Sequence, residues 1–214
     1  VCSSDLDVDG TISSYAVQTG ADTTASSKVG SYGTLTIING NGYSYAPNAA
    51  LINAIAAGSS PTDSFTLVVT DNGGAKVTQT LMFNITGAND APVISAVTSP
   101  ATILDGTGNE TSFTAVTGTI TAGDVDGTIS SYAVQTGADA NTTASSKVGS
   151  YGTLTLSGGA YSYAPNVALI NAIAAGSNPT DSFTLVVTDN GGAKVTQTLT
   201  FNITGANDAP VISA

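Results

Sequence analysis

The sequence predicts a chain of tandem antiparallel β-sandwiches, all-β except for one short helix in each unit. Three observations lead to this prediction: a long internal repeat, short runs of alternating apolar and polar residues, and turn residues between those runs. Asp7–Ala96 aligns with Asp124–Ala214 after two small gaps, and 82 of the 89 aligned positions are identical. The unit is about 118 residues long, which is the size of a domain rather than of a solenoid repeat.

The strand signals recur in the same order in each unit. In the first unit, runs rich in β-branched and aromatic residues predict strands at Thr11–Thr19, Tyr32–Ile38, Gly42–Ala46, Ser64–Thr70 and Lys76–Thr86. The second unit adds Thr111–Gly123, which predicts a further strand pair. Seven or so short strands in such a unit are typical of an immunoglobulin- or cadherin-like sandwich with Greek-key connections.

Turn and helix signals separate these strands. Asn39–Gly42 and Asp71–Gly74 are Asn- and Gly-rich and predict hairpin turns. Asn48–Gly58 predicts the one short helix, with asparagine as the cap and glycine as the stop.

The motif ANDAPVI, at Ala88–Ile94 and Ala206–Ile212, predicts the boundaries between repeats because its proline cannot continue a strand ladder. We therefore expect a repeat truncated at its N-terminus at residues 7–91, a complete repeat at 92–209 and the start of another at 210–214. Residues 1–6 read VCSSDL, match nothing in the second copy and back-translate to a sequencing-adapter end. We interpret them as an artefact, and Cys2 as without function.

Composition excludes several classes of partner. The formal net charge is −11, with four lysines and arginines together and no histidine, so the chain lacks a basic patch for nucleic acid or anionic membranes. No apolar stretch is long enough to insert into a membrane. A hydrophobic fraction of 41% indicates a packed core rather than disorder. Without Cys2 the repeats hold no cysteine, so no disulfide stabilises them.

The acidic residues fall in turns and boundary motifs such as DVDG, TDSF, TDNGG and AND. Turn chemistry alone explains about half of them. The segment from Thr62 to Ile94 resembles the end of a VCBS-type, bacterial cadherin-like repeat of giant secreted adhesins of the RTX type. This resemblance covers everything after Leu6, and it implies tandem arrays, one-step secretion and calcium bound at the junctions between repeats.

The resemblance also implies which residues hold calcium. For the junction within the chain they are Asp63, Asn89, Asp90, Glu110, Asp124, Asp126 and Asp189. For the upstream junction they are Asp7, Asp9 and Asp71, and for the downstream junction Asp181, Asn207 and Asp208. Calcium suits such sites because it takes six to eight hard oxygen ligands. DVDGTISSY does not match an EF-hand, and zinc lacks histidine and cysteine ligands in the repeats.

Two functions remain open at this stage. The first is a calcium-stiffened extracellular spacer on a bacterial cell surface, contacting neighbouring repeats of its own chain and supporting adhesion or biofilm formation. The second is a ligand-binding module for a glycan, a cell or a surface such as ice, with Tyr15, Tyr32, Tyr43 and Tyr45 as a stacking platform. Core packing is the favoured interpretation of these tyrosines. We do not expect an enzyme, because no catalytic motif occurs and the acids repeat almost unchanged in both units.

Overall fold

A computed structural model of the chain describes residues 10–38 and 41–210. The chain forms two compact units that divide between Ala88 and Asn89. Among the described residues, no helix is long and apolar enough to cross a membrane. The repeat boundaries expected from the sequence remain predictions, and residues 1–6, with Cys2, lie outside the described part of the chain.

The second unit is a sandwich of two five-stranded sheets. Its strands are β8 (Val93–Val97), β9 (Ile103–Leu104), β10 (Val116–Gly123), β11 (Ile129–Gln135), β12 (Thr143–Ala144), β13 (Ser146–Val148), β14 (Gly152–Ser157), β15 (Ala160–Pro165), β16 (Thr180–Asp189) and β17 (Lys194–Thr204). One sheet has the order β13-β14-β15-β10-β8, and the other has β12-β11-β16-β17-β9. Every pairing is antiparallel except that of β17 with β9. The predicted antiparallel sandwich is therefore confirmed.

The first unit contains seven strands that correspond to β11–β17 of the second unit. In the described residues these strands form smaller sheets. They are β1 (Ile12–Gln18), β2 (Thr24–Ala25), β3 (Ser27–Val29), β4 (Gly33–Ile38), β5 (Gly42–Pro47), β6 (Thr62–Asp71) and β7 (Lys76–Asn84). In the described residues they form a four-stranded sheet, β2-β1-β6-β7, and a three-stranded sheet, β3-β4-β5.

Alternation along the strands builds the core between the two sheets. In β16 the residues Phe183, Leu185 and Val187 are almost fully buried in this core, whereas Ser182 is exposed; Val186 is also buried but lies outside the core cluster. Tyr163 of β15 stacks on Phe201 of β17, with ring centroids 4.1 Å apart. Tyr45 and Phe83 stack at the same distance in the first unit. Tyr45 packs against the core, as expected, whereas Tyr43, for which core packing was also expected, is 48% exposed.

Each unit has one short helix, as predicted, but both helices end earlier than the sequence pattern indicates. Helix α1 covers Ala49–Asn53 and helix α2 covers Val167–Ile170. The Asn48 side chain accepts hydrogen bonds from the backbone N–H groups of Ala50 and Leu51, which is the expected N-cap. Gly58 has a φ of 79°, so glycine fits this position, although the helix has already ended.

Two expectations about elements need correction. Thr111–Gly123 forms only one strand, β10, because the residues before Val116 run as a loop that packs Phe113 against the core. The short edge strands β2, β3, β12 and β13 gave no clear periodic signal, since two or three residues are too few to alternate. The turn at Asp71–Gly74 is present, with Gly74 at a φ of 91°. The turn expected at Asn39–Gly42 includes residues outside the described part.

A buried aspartate at the start of β6 and of β16 ties a neighbouring loop to the sheet. Asp181 is 4% exposed, and its carboxylate accepts hydrogen bonds from the N–H groups of Ser150 and Tyr151 and from the Tyr163 hydroxyl at 2.8–3.1 Å. Asp63 accepts the equivalent three bonds in the first unit. Burial alone would raise the pKa of Asp63, but these hydrogen bonds outweigh burial and lower it.

We predict that Asp181→Asn will lower the free energy of unfolding by about 1–3 kcal/mol, because the amide presents N–H groups to donors that need an acceptor. Denaturant unfolding at neutral pH measures this change. Asp139→Asn is the matched control, since Asp139 is exposed and accepts only a local turn hydrogen bond. Equal effects of the two substitutions would contradict the structural role of Asp181.

We predict that the folded protein loses stability in alkali when the hydroxyl group of Tyr45, which lies beside Asp63, ionises. Burial, together with the adjacent carboxylate, raises the pKa of Tyr45 to about 12, above the ordinary value of about 10. An acid with a raised folded-state pKa contributes stability below its unfolded pKa and loses it as pH rises to the folded value. Unfolding free energies should therefore fall between about pH 10 and 12, and this contribution should vanish in Tyr45→Phe. An unchanged pH profile in the variant would contradict the assignment.

Candidate metal centres

Three carboxylates from two segments come together at one end of the second unit, next to the start of that unit. Asp189 ends β16, and Asp124 and Asp126 lie in the DVDG turn between β10 and β11. The Asn89 side chain donates a hydrogen bond to Asp189 Oδ2 at 2.9 Å, and the Asp90 N–H donates to Asp126 Oδ1 at 3.2 Å. We call these five residues the upper site.

Two glycines leave room for these polar groups. A Cβ atom on Gly127 would meet Asn190 Oδ1 and would lie 2.6 Å from Asp124 Oδ2. A Cβ atom on Gly191 would meet the side-chain carbonyl of Asn89. The glycines of DVDG and DNGG therefore allow the backbone to approach the side chains of the upper site closely.

Part of the carboxylate surface of the upper site is shielded from water and has no hydrogen-bond donor. Both Asp124 oxygens and Asp126 Oδ2 are buried and accept no hydrogen bond. Burial, with repulsion from Asp126 and Asp189, raises the pKa of Asp124. Burial would also raise the pKa of Asp189, but hydrogen bonds from Asn89 and from backbone N–H groups lower it. The upper site thus holds negative charge that the described residues leave uncompensated.

A second acidic group forms from Asp105, Glu110 and Asp208, which we call the lower site. One ligand oxygen from each of the three lies within 4.8 Å of the others. Asp105 Oδ1, Glu110 Oε2 and Asp208 Oδ1 are buried and accept no hydrogen bond. Burial, together with repulsion from Asp105 and Glu110, raises the pKa of Asp208.

The fold of the second unit fixes where the lower site forms. The Asp105 N–H donates to the Thr204 carbonyl after the parallel pairing of β9 with β17, and Asp105 Oδ2 accepts from the Ala206 N–H. Asn171, next to helix α2, donates from its side chain to the Glu110 carbonyl at 3.0 Å. Asp189 ends β16, whereas Thr204 lies beyond the other end of that strand, which is about 30 Å long. The upper and lower sites therefore lie at opposite ends of one sandwich.

The structure groups the residues expected at the junction differently from the sequence. Asn89, Asp90, Asp124, Asp126 and Asp189 come together, and Glu110 lies instead with Asp105 and Asp208. Asp63 and Asp181 join neither group, because their carboxylates are fully engaged by loop N–H groups and a tyrosine. These two residues serve packing of the loop in the described structure.

Asp71 and Asn207, expected at the upstream and downstream junctions, make local hydrogen bonds. Asp71 Oδ1 accepts the Ala75 N–H at 2.8 Å, as Asp189 Oδ1 does with Ala193. Asn207 donates to the Asp208 carbonyl, as Asn89 does to the Asp90 carbonyl. Asp7 and Asp9, expected at the upstream junction, lie outside the described residues.

Sequence reasoning missed Asp105 and the supporting residues Asn171 and Asn190. The Asn190 side chain accepts the Thr128 N–H and so holds the turn of the upper site. The sequence around Asp105 does contain one local indication of a ligand. Asp105 follows an apolar pair and precedes Gly106, where an added Cβ would meet Glu110 Oε1. That indication has meaning only once the β9–β17 pairing is known.

Both groups fit a hard divalent cation. Carboxylate and amide oxygens are the ligands that calcium prefers, and a bound cation removes the repulsion between carboxylates. The six unpaired carboxylate oxygens named above are the observation on which this fit depends. Neither group contains the histidine or cysteine that a zinc site usually needs.

The second unit is a β-sandwich module with an acidic group at each end, and the family comparison agrees with this fold. The bacterial cadherin-like domain family matches residues 89–205. The chain belongs to the bacterial cadherin-like domain family. No curated protein matches the chain.

Several solved structures resemble the chain at low identity. Human CDH23 repeats EC21–23 have 17% identity and a TM-score of 0.42, and the match covers 92% of this chain and 63% of that one. Extracellular cadherin domains 1–5 of protocadherin gamma B2 have 14% identity and a TM-score of 0.42, with 87% and 33% covered. Mouse protocadherin-24 EC1–3 has 14% identity and a TM-score of 0.37, with 90% and 58% covered. The chain thus spans only part of each of these proteins.

We predict that Asp124→Asn will raise the melting temperature in the presence of a chelator, because it removes one of three repelling carboxylates. The raised pKa of Asp124 predicts the same direction of change. A carboxyl group whose pKa is raised in the folded state destabilises that state as the pH rises through the group's ordinary pKa. Thermal unfolding followed by circular dichroism measures this change at neutral pH. Asp139→Asn, in an exposed turn, is the control. A large fall in melting temperature without metal would contradict this electrostatic account.

Proposed function

We propose that the chain consists of calcium-stiffened spacer repeats of a large secreted bacterial adhesin, with a structural and non-catalytic role. The observation that supports this proposal best is the pair of acidic groups at opposite ends of one sandwich, each with buried carboxylate oxygens that accept no hydrogen bond. Membership of the bacterial cadherin-like domain family supports the same proposal.

The boundary motif supports a role for calcium in linking repeats. Asn89 contributes its side chain to the upper site of its own unit. The Asp that follows the equivalent Asn207 contributes its carboxylate to the lower site. The consecutive Asn-Asp pair of each boundary would therefore supply one ligand to the repeat that begins there and one to the repeat that ends there. Ions held by both residues would restrict bending of the linker, and reach would grow with each copy of the repeat.

Calcium is the cation that we propose for these sites. It accepts irregular sets of six to eight oxygen ligands, whereas magnesium demands near-octahedral geometry and retains its waters. Extracellular modules bind calcium with dissociation constants of about 0.1–1 mM, so such sites fill outside a cell. Secretion to a bacterial surface, and a role in adhesion or biofilms, belong to the same proposal.

Calcium should raise the melting temperature of the chain, and magnesium should raise it less. At 100 times the dissociation constant, one bound ion stabilises the folded state by about 2.7 kcal/mol. Asp124→Asn and Asp208→Asn should each remove part of this gain, because they act on different sites. Asp139→Asn should retain the full gain. Equal melting of the unmodified chain in calcium, magnesium and chelator would contradict the proposal.

The proposed stiffening of the chain by calcium is tested by measuring the range of shapes that the chain adopts in solution. Small-angle scattering of the chain should show a narrower distribution of conformations in calcium than in chelator. Asp124→Asn combined with Asp126→Asn should abolish this difference while leaving the circular dichroism spectrum unchanged. If calcium alters the melting temperature but not the scattering, the ions stabilise single sandwiches and the spacer proposal is wrong. Specific capture of a glycan by the chain would instead favour the ligand-binding alternative.

A further inference from the structure

The hairpin turn between β16 and β17 contains an Asn-Gly bond beside the upper site. Asn190 and Gly191 lie in the middle of this turn, and both are exposed. Gly192 follows with a φ of 93°, which glycine adopts without strain. Asparagine is chemically labile when glycine follows it, because glycine has no Cβ to hinder attack by its backbone nitrogen. The turn therefore carries a reactive peptide bond in contact with solvent.

Two hydrogen bonds join Asn190 to the neighbouring turn. The Asn190 N–H donates to the Thr128 carbonyl at 2.9 Å, and Asn190 Oδ1 accepts the Thr128 N–H at 2.8 Å. Thr128 directly follows DVDG, the turn that supplies two carboxylates of the upper site. Asn72 and Thr11 make the same two bonds in the first unit. The Asn190 amide thus holds two turns together, and any change to it alters both.

The same amide lies beside a carboxylate that already lacks donors. Asn190 Oδ1 and Asp124 Oδ2 flank one point in space, where Gly127 would carry a Cβ atom. Both Asp124 oxygens are buried without a hydrogen bond, and Asp126 and Asp189 repel them. As an amide, Asn190 adds no charge to this group. A carboxylate in its place would be the fourth at this end of the sandwich.

We propose that Asn190 is a site of spontaneous deamidation and isomerisation, which change the charge and the backbone next to the upper site. The Gly191 nitrogen attacks Asn190 Cγ, so that a C–N bond closes a five-membered succinimide ring and the Cγ–Nδ2 bond breaks. The side-chain nitrogen leaves as ammonia and takes up the proton that the Gly191 N–H loses. One water molecule then opens the ring at either carbonyl and gives aspartate or, in excess, isoaspartate. No enzyme or redox partner is required.

The folded turn slows this reaction without preventing it. Attack requires rotation of the Asn190 side chain, which the Thr128 N–H holds in place. It also requires movement of the Gly191 N–H, which donates to the Asp189 carboxylate. Both hydrogen bonds lie at an exposed turn, so they break by local opening rather than by unfolding of the whole unit. The rate of modification therefore reports how often this turn opens.

Each product weakens the link between the two turns. Aspartate at position 190 keeps an acceptor for Thr128 but places a fourth carboxylate beside Asp124. Isoaspartate adds one atom to the main chain, so the two bonds to Thr128 cannot keep their present geometry. The inference depends on the geometry of the turns alone and needs no ion. It therefore stands or falls separately from calcium binding.

The test follows the intact chain over time in a mildly alkaline buffer with chelator. Cleavage after lysine releases residues 148–194, which contain a single Asn-Gly bond. Mass spectrometry should show conversion of the Asn190 amide to an acid, and isoaspartyl methyltransferase should label the product. Asn166, Asn171 and Asn178 of the same fragment precede valine, alanine and proline, and they should stay unmodified. Conversion should be at least about tenfold slower than in a synthetic peptide of residues 186–195, which corresponds to about 1.4 kcal/mol.

A variant that mimics one product tests the consequence for stability. Asn190→Asp should lower the melting temperature in chelator more than Asn202→Asp, which adds the same charge at an exposed position of β17. The proposal is overturned if the folded chain shows no conversion while the peptide converts completely. Equal rates in the chain and the peptide, or equal effects of the two variants, would also overturn it. Any of these results would leave the proposed function intact, because none of them involves calcium.

Discussion

Carboxylates that are shielded from water and lack donors are the constraint around which the ends of this sandwich are arranged. Asp124 and Asp126 at the upper site, and Asp105, Glu110 and Asp208 at the lower site, all present such oxygens. Unpaired buried charge is costly, and a chain with few cations cannot neutralise every group internally. A divalent cation would resolve this conflict, which is the reason that we propose calcium at both ends of the sandwich.

Not every buried aspartate in the chain belongs to this group. Asp63 and Asp181 have the same residue type and a similar turn context, yet each accepts two backbone N–H groups and a phenol. Their charge is already compensated, so they stabilise the loop before β4 or β14 without an ion. Asp63 and Asp181 therefore need no ion, whereas Asp105, Asp124 and Asp208 each keep a buried oxygen without a donor.

Much of the fold could be predicted from periodicity and repetition, and the site could be predicted only in part. The long strands β6 and β16 alternate clearly, and the DVDG and DNGG turns pointed to the upper site. The position of Glu110 could not be predicted because it depends on the parallel pairing of Ile103 with Ile203, a contact between residues far apart in sequence. Asp105 was missed for the same reason. Local patterns specify strands and turns, whereas long-range pairing decides which acids meet.

The most direct measurement is anomalous diffraction from crystals of the chain grown in calcium and exchanged with a lanthanide, which takes the same oxygen ligands. Our account predicts one ion among Asp124, Asp126 and Asp189 and another among Asp105, Glu110 and Asp208. Calcium in the unexchanged crystal should occupy the same positions. Water molecules alone at both groups, in crystals with millimolar calcium, would contradict the claim that these carboxylates form metal sites.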